Sequence, residues 1–321
     1  MVSRAGRQPA ERVDAPTEAR NPRTLDLDRL DTLALLQAIN AEDRTVPDAV
    51  AQVLPALAEV VDAAAERLAA GGRVHYFGAG TPGRLAVLDA TELPPTFSLE
   101  PDRVIAHQAG GRAALVTSVE GAEDDAAAGE ADAAVVTAAD LVIGLTASGR
   151  TPYVGGALAV ARAAGARTVL VSANPAAPLA SLADHHIAVA TGAEVVAGST
   201  RMKAGTAQKL VLNAFSTAVM ARLGKTYSNL MVDVVASNAK LQGRTLTILL
   251  EASDQDEPTC RAALSAAGGE VKTALVMLLA GLPAAAAADA LRRADGRVRA
   301  ALADLDGRNR HGTTATAPRG R

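Results

Sequence analysis

The run Arg73-Val-His-Tyr-Phe77 leads directly into Gly78-Ala-Gly-Thr-Pro-Gly-Arg84, and a helical pattern follows to Leu93. Valine and two aromatics favour an extended strand. Three glycines permit a tight turn, and proline suits the first turn of a helix. The stretch therefore reads as strand, glycine turn, helix. The unit recurs: Leu141–Leu145 reads as a strand, Thr146-Ala-Ser-Gly-Arg150 as a turn, and 151–164 as a helix. Thr168–Ser172 reads as the next strand, ended by Asn174-Pro175, and His186–Ala190 as another. Strands alternating with helices predict an α/β fold, a doubly wound parallel sheet with helices on both faces.

Outward from this centre the chain is helical. Leu30, Leu33, Leu35, Leu36 and Ile39 form one apolar stripe, and Val50, Val53, Leu54, Leu57, Val60 and Val61 a second, before Gly71-Gly72. Residues 199–223 and 229–252 read as two long helices. After Ser253, short Ala-rich helices alternate with breaks at Gly268-Gly269, Gly281-Leu-Pro283 and Asp295-Gly296. The expected organisation is a flexible segment over 1–24, the sheet domain with flanking helices over 25–252, a small all-α domain over 253–304, and a disordered basic tail over 305–321.

Composition narrows the function. The 321 residues are 49% apolar and 21% charged, which suits a globular core. Aromatics are 2%, with no Trp, so a base-stacking platform is not expected. A net charge of −3 argues against a broad grip on nucleic acid or an anionic membrane. Cys260 stands alone and reads as a small buried hydrophobe. No secretory pattern opens the chain and no apolar run reaches membrane-spanning length, so a soluble, cytoplasmic protein is expected.

Glycine turns at strand ends that open helices point backbone N–H groups outward, where the helix dipole favours an anion. Gly80 and Thr81 belong to the first such turn. The second brings Thr146, Ser148, Gly149, Arg150 and Thr151, and the third, Gly198–Thr206, brings Ser199, Thr200, Arg201 and Lys203. Each alone is equally a plain strand–helix connection, and Arg201 and Lys203 equally a helix-start cation cluster. Three together favour a sugar-phosphate site. The dinucleotide alternative is weak: GAGTPG fits the glycine pattern, but no acid ends a second strand about twenty residues on. Glu92, near the end of the first helix, and Glu120, in Val119-Glu-Gly-Ala-Glu-Asp124, are candidate acid–base groups, although either alone reads as solvated surface. His75 reads as structural. His185-His186 lacks a third ligand, so it reads as a strand-edge pair, and no metal site is expected.

Several segments resemble the N-acetylmuramic acid 6-phosphate etherase family. They are Gly78-Ala-Gly-Thr-x-Gly-Arg-Leu with Leu88-Asp-Ala-Thr-Glu-x-Pro-Pro-Thr-Phe97, Ala147-Ser-Gly-Arg-Thr-Pro-Tyr-Val154, the long run Glu194–Asn213, and Tyr227–Asp233 with Asn238–Leu241. Thr17–Pro22 and Ile39–Asp43 fit as well. The likeness spans roughly residues 15 to 300.

The resemblance implies a sugar isomerase (SIS) domain, a homodimer, a sugar-phosphate substrate, and no metal or organic cofactor. It implies cleavage of the D-lactyl ether of N-acetylmuramic acid 6-phosphate, with Glu92 as acid and Glu120 as base. One departure stands out: the family's first loop usually reads Gly-Thr-Ser-Gly-Arg, and here Pro82 replaces the serine. The alternative reading is a non-catalytic sugar-phosphate sensor on the same fold, as in the glucokinase regulatory protein. The presence of both glutamates argues against it.

Overall fold

The computed structural model describes residues 15–233 and 239–312. The expectations for residues 1–14 and 313–321 lie outside the described residues.

Two helices come first, α1 (Thr32–Asp43) and α2 (Val46–Ala69). The alternating part follows: β1 (Val74–Gly78), α3 (Gly80–Phe97), β2 (Val104–Gln108), α4 (Ala126–Asp132), β3 (Leu141–Leu145), α5 (Pro152–Ala163), β4 (Arg167–Ser172), β5 (His185–Ala188) and α6 (Lys203–Arg222). The chain ends with two short strands, β6 (Thr226–Tyr227) and β7 (Leu230–Met231), and with α7 (Ala239–Ser253), α8 (Glu257–Ala266), α9 (Val271–Ala280), α10 (Ala284–Arg293) and α11 (Val298–Gly312).

Two compact units divide these residues. The first takes the chain up to Val60, Arg73–Val87 and Ile105–Asn213; the second takes Val61–Gly72, Leu88–Val104 and the chain from Ala214 on.

The first unit holds a five-stranded parallel sheet in the order β2-β1-β3-β4-β5. The chain leaves β1 for β2 on one side, then resumes at β3 on the other. The strand order therefore reverses between β1 and β3, and the loops at their carboxyl ends flank the crevice where doubly wound sheets take ligands. Every residue of β1 and β3 is buried, as expected of central strands covered on both faces. Phe77, Val142 and Leu170 of the sheet pack with Tyr153, Val154 and Leu158 of α5.

Three local readings change. Strand β2, which the sequence reading did not single out, opens on Val104-Ile105-Ala106 and ends on polar His107 and Gln108. The first helix runs through Pro94-Pro95 to Phe97, where Ser98 turns to φ 50°; the prolines drop two backbone bonds only in its last turn. Residues 15–24, expected to be flexible, form short 3-10 turns at Pro16–Glu18 and Pro22–Thr24, with Thr17 and Asn21 buried.

In the second unit the helix expected from residue 229 starts at Ala239. Thr226–Tyr227 and Leu230–Met231 pair antiparallel instead, across a turn in which Ser228 has φ 53°. Helices α8 to α11 are separated at the three predicted glycine breaks. Ile248 and Leu249 of α7 join Cys260, Leu275, Val276 and Leu291 in one core, so this helical cluster begins before residue 253. Helix α11 continues to Gly312, past the expected end at 304.

Candidate functional site

The first loop depends on close approach between strand and helix. A Cβ on Gly83 would lie 2.1 Å from Gln108 Oε1 and 2.5 Å from the Gly78 oxygen, so only glycine lets α3 start this near β1. Gly80 opens α3 at φ +61°. It lines a cavity of about 310 Å³ together with Arg84, Gln108 and Glu120. Pro82 lies in the first turn of α3, where backbone N–H groups have no partner within the helix, so the ring costs no helical bond. Thr81 reaches toward α6: a Cβ on Gly205 would meet its Cγ2 at 3.3 Å.

The second loop is held by its own hydroxyls. Thr146 Oγ1 lies 2.8 Å from Thr151 Oγ1 and accepts the Gly149 N–H at 3.2 Å. Thr146 is buried, so it shapes the loop from below, while Ser148 and Thr151 are half-buried and Arg150 is exposed. Asn174 Nδ2 donates to the Ser148 oxygen at 3.0 Å, which ties this loop to the end of β4. Ala147 packs with Ala173 and with Ala204 of α6. The first and second loops thus both abut the start of α6.

The third loop corrects one expectation. The first N–H groups of α6, on Lys203 and Ala204, donate to the buried Glu194 carboxylate at 2.9 and 3.0 Å. The protein's own anion already occupies that helix terminus. Lys203, expected to bind phosphate, is 1% exposed, and its Nζ donates to Glu42 Oε2 at 2.9 Å. Its ammonium is paired with the Glu42 carboxylate. Ser199 and Thr200 remain half-buried at the turn before it.

Glu42 also receives Arg23, from Nε to Oε1 and from Nη2 to Oε2 at 2.8 Å. The Arg23 bond outweighs burial, and with Lys203 it holds the Glu42 carboxyl at about 2. The same N-terminal segment clasps the third loop. The Gly198 N–H donates to the Thr17 oxygen at 3.0 Å, Asn21 Nδ2 to the Ala193 oxygen at 3.4 Å, and Thr24 Oγ1 to the Val195 oxygen at 2.8 Å. Composition gave no sign of this clasp, because its acceptors are backbone carbonyls.

Glu120 is exposed at the rim of the 310 Å³ cavity, in the first unit. Glu92 is exposed on α3, in the second unit. Gln108 was not singled out by sequence; it lines the cavity and is 7% exposed.

His75 is structural, as read. It is fully buried in β1, with Nδ1 3.1 Å from His107 Nε2, and His107 stacks on Phe77 at 4.2 Å between ring centres. Burial, with the neighbouring His107, pushes His75 down to about 4. Asp140 Oδ2 lies 3.8 Å from His75 Nε2. Burial raises the Asp140 carboxyl, but bonds from Thr137 and the Arg73 N–H hold it below its usual range. His186 Nε2 meets Ser172 Oγ at 2.8 Å on the edge strand β5. Among the described residues no cluster of three or more His, Cys, Asp or Glu side chains is arranged to hold a metal ion. Among them, no single helix is long and apolar enough to cross a membrane.

Residues 56–162 match the sequence profile described as the glucokinase regulatory protein N-terminal SIS domain, and residues 117–218 match the SIS domain profile. A Thermobifida fusca protein named N-acetylmuramic acid 6-phosphate etherase is 66% identical over 271 residues, covering 84% of this chain and 89% of that protein. A protein of the same name from Pectobacterium atrosepticum is 54% identical, over 89% of this chain and 95% of its own. Another, from Streptomyces avermitilis, is 52% identical, over 92% and 95%.

Proposed function

The chain belongs to the N-acetylmuramic acid 6-phosphate etherase family, and from that premise we propose that it is a carbon–oxygen lyase acting on N-acetylmuramic acid 6-phosphate. The products are N-acetylglucosamine 6-phosphate and D-lactate. The observation that carries this reading is the 66% identity with an etherase over nearly the whole of that protein.

An alkyl ether resists direct hydrolysis. Opening of the sugar ring places an aldehyde at C1, which acidifies the hydrogen on C2. A carboxylate removes that proton while a carboxylic acid protonates the ether oxygen on C3, and lactate leaves with the carbon–oxygen bond pair. The α,β-unsaturated aldehyde then takes up water at C3 and a proton at C2. No net oxidation occurs, and the water consumed balances the two products. Two carboxyl groups with opposite protonation states supply both proton transfers. In this reading Glu120 is the base and Glu92 the acid. Support for Glu120 comes from its place on the cavity beside Gly80, at the open end of α3.

The substrate phosphate is assigned to the loop groups around Gly80, Thr81, Ser148, Gly149, Arg150 and Thr151, with Ser199 and Thr200 facing them from the turn before α6. Backbone N–H groups and hydroxyls at such turns suit a dianion. Thr146 acts from below by fixing the second loop. We also propose a homodimer. Leu33 and Leu36 of α1 are 65% and 58% exposed, an apolar face that a second copy would cover.

The test is incubation with N-acetylmuramic acid 6-phosphate and an assay for D-lactate. In ¹⁸O-water the C3 hydroxyl of the amino sugar gains solvent oxygen, and in deuterated water C2 gains deuterium. Absence of lactate, or solvent oxygen in the lactate instead, overturns the proposal. A sugar-phosphate sensor would release no lactate in the same assay.

A further inference from the structure

We propose that Arg84 is a positioning residue, which fixes the loop carrying Glu120 and does not hold the substrate phosphate. The claim rests on the etherase reading for the role of Glu120. An arginine just after a glycine turn at a helix start is in place for a phosphate, but here its Nε and Nη2 groups donate to main chain. Nε donates to the Ala114 oxygen at 3.0 Å and to the Leu115 oxygen at 3.3 Å, and Nη2 donates to the Thr117 oxygen at 3.3 Å. These carbonyls close the short 3-10 turn Gly111–Leu115 and lead, three residues later, to Glu120. Arg84 and Glu120 line the same cavity.

Apolar burial does little to hold this loop. From residue 111 to 121 only Ala114 is buried, Val116 is 86% exposed, and Gly110, Gly111 and Gly121 all have positive φ. The bonds from Thr117 Oγ1 and from the Val116 and Thr117 N–H groups all run to Ala113, inside the loop itself. The guanidinium ties this loop to the first turns of α3. Its planar fork of five donors can serve three carbonyls at once, which the point ammonium of lysine cannot do. A reacting group displaced by about 1 Å loses roughly a hundredfold in rate.

The experiment compares the full-length protein with Arg84→Lys. The expected result is a fall in kcat of about 10- to 100-fold with KM for N-acetylmuramic acid 6-phosphate kept within about threefold. Deuterium uptake at C2, the base step, falls in parallel with kcat. Hydrogen exchange followed by mass spectrometry shows faster exchange of 111–123 while β1 and β3 stay protected. A preserved kcat with KM raised tenfold or more would make Arg84 a phosphate ligand and overturn the proposal; so would unchanged exchange in 111–123. If Arg84→Lys is insoluble, Arg84→Gln, which keeps an amide donor, serves the same comparison. The exchange measurement needs no substrate. It decides the positioning claim even if the unaltered protein releases no lactate, a result that would sink the etherase reading separately.

Discussion

Glu42→Gln should cost the protein about 3–5 kcal/mol of stability at neutral pH. The change leaves the Lys203 ammonium, 1% exposed, facing a neutral amide. Removing one partner of a buried ion pair costs about 3–5 kcal/mol, because the remaining charge stays buried and uncompensated. Linkage gives a second route to the figure. The Glu42 carboxyl sits at about 2 in the folded protein against an ordinary value of 4.5. That depression is worth about 3 kcal/mol at pH 7. Because the folded value is the lower one, the stabilisation is fully present above about 4.5 and is lost as pH falls toward 2. The assay is urea unfolding of both proteins at pH 7 and pH 3. The gap between them should narrow by about 2 kcal/mol at the lower pH. Equal stabilities at pH 7, or a gap that does not move with pH, would refute a buried, charged Glu42 held by Arg23 and Lys203. Lys203→Met gives a kinetic check: a large rise in KM with unchanged stability would return Lys203 to the substrate.

Glu120→Gln and Glu92→Gln should each lower D-lactate release by about 10²- to 10⁴-fold. Both side chains are exposed, so their melting temperatures should match the unaltered protein, and near-normal turnover in both would sink the assignment. Gly83→Ala should destabilise strongly, since its Cβ would lie 2.1 Å from Gln108 Oε1 and 2.5 Å from the Gly78 oxygen; an unchanged unfolding midpoint would contradict that approach. His75 is held at about 4 against 6.5, so its burial becomes destabilising as pH falls from 6.5 to 4. His75→Phe should flatten the pH dependence of the urea midpoint across that window, by up to about 3 kcal/mol, and an unchanged slope would refute the buried neutral ring.

The sheet was legible because β1 and β3 carry runs of β-formers that end in glycine turns. The helices beyond 253 were legible because glycine breaks punctuate them. Strand β2, at the sheet edge, was not, since its apolar run Val104-Ile105-Ala106 gives way to polar His107 and Gln108. The hairpin at 226–231 has strands of two residues, too short to show any period. Within the site, the glycine and hydroxyl loops could be named from residue type alone. The fate of Lys203 could not. Its partner Glu42 lies 161 residues away, and a lysine in a phosphate-type loop looks the same in sequence whether it faces a ligand or a buried carboxylate. Residues 15–24 misled for a similar reason: a polar, proline-containing segment carries no mark of the carbonyls that will bind it.

Asn21 leaves the ribosome 172 residues ahead of Ala193, and Thr24 is 171 ahead of Val195. At about 5–20 residues per second, their acceptors follow roughly 10–35 s later. By then β1, β3 and β4, neighbours in the sheet, have all been delivered. Closing so long a loop carries an entropic cost that must be met before the contact returns anything. Sheet pairing and completion of the third loop are therefore separate events in time. A nascent chain halted before residue 193 holds the central strands and the first two loops, yet Asn21 and Thr24 still wait for the carbonyls they will grip.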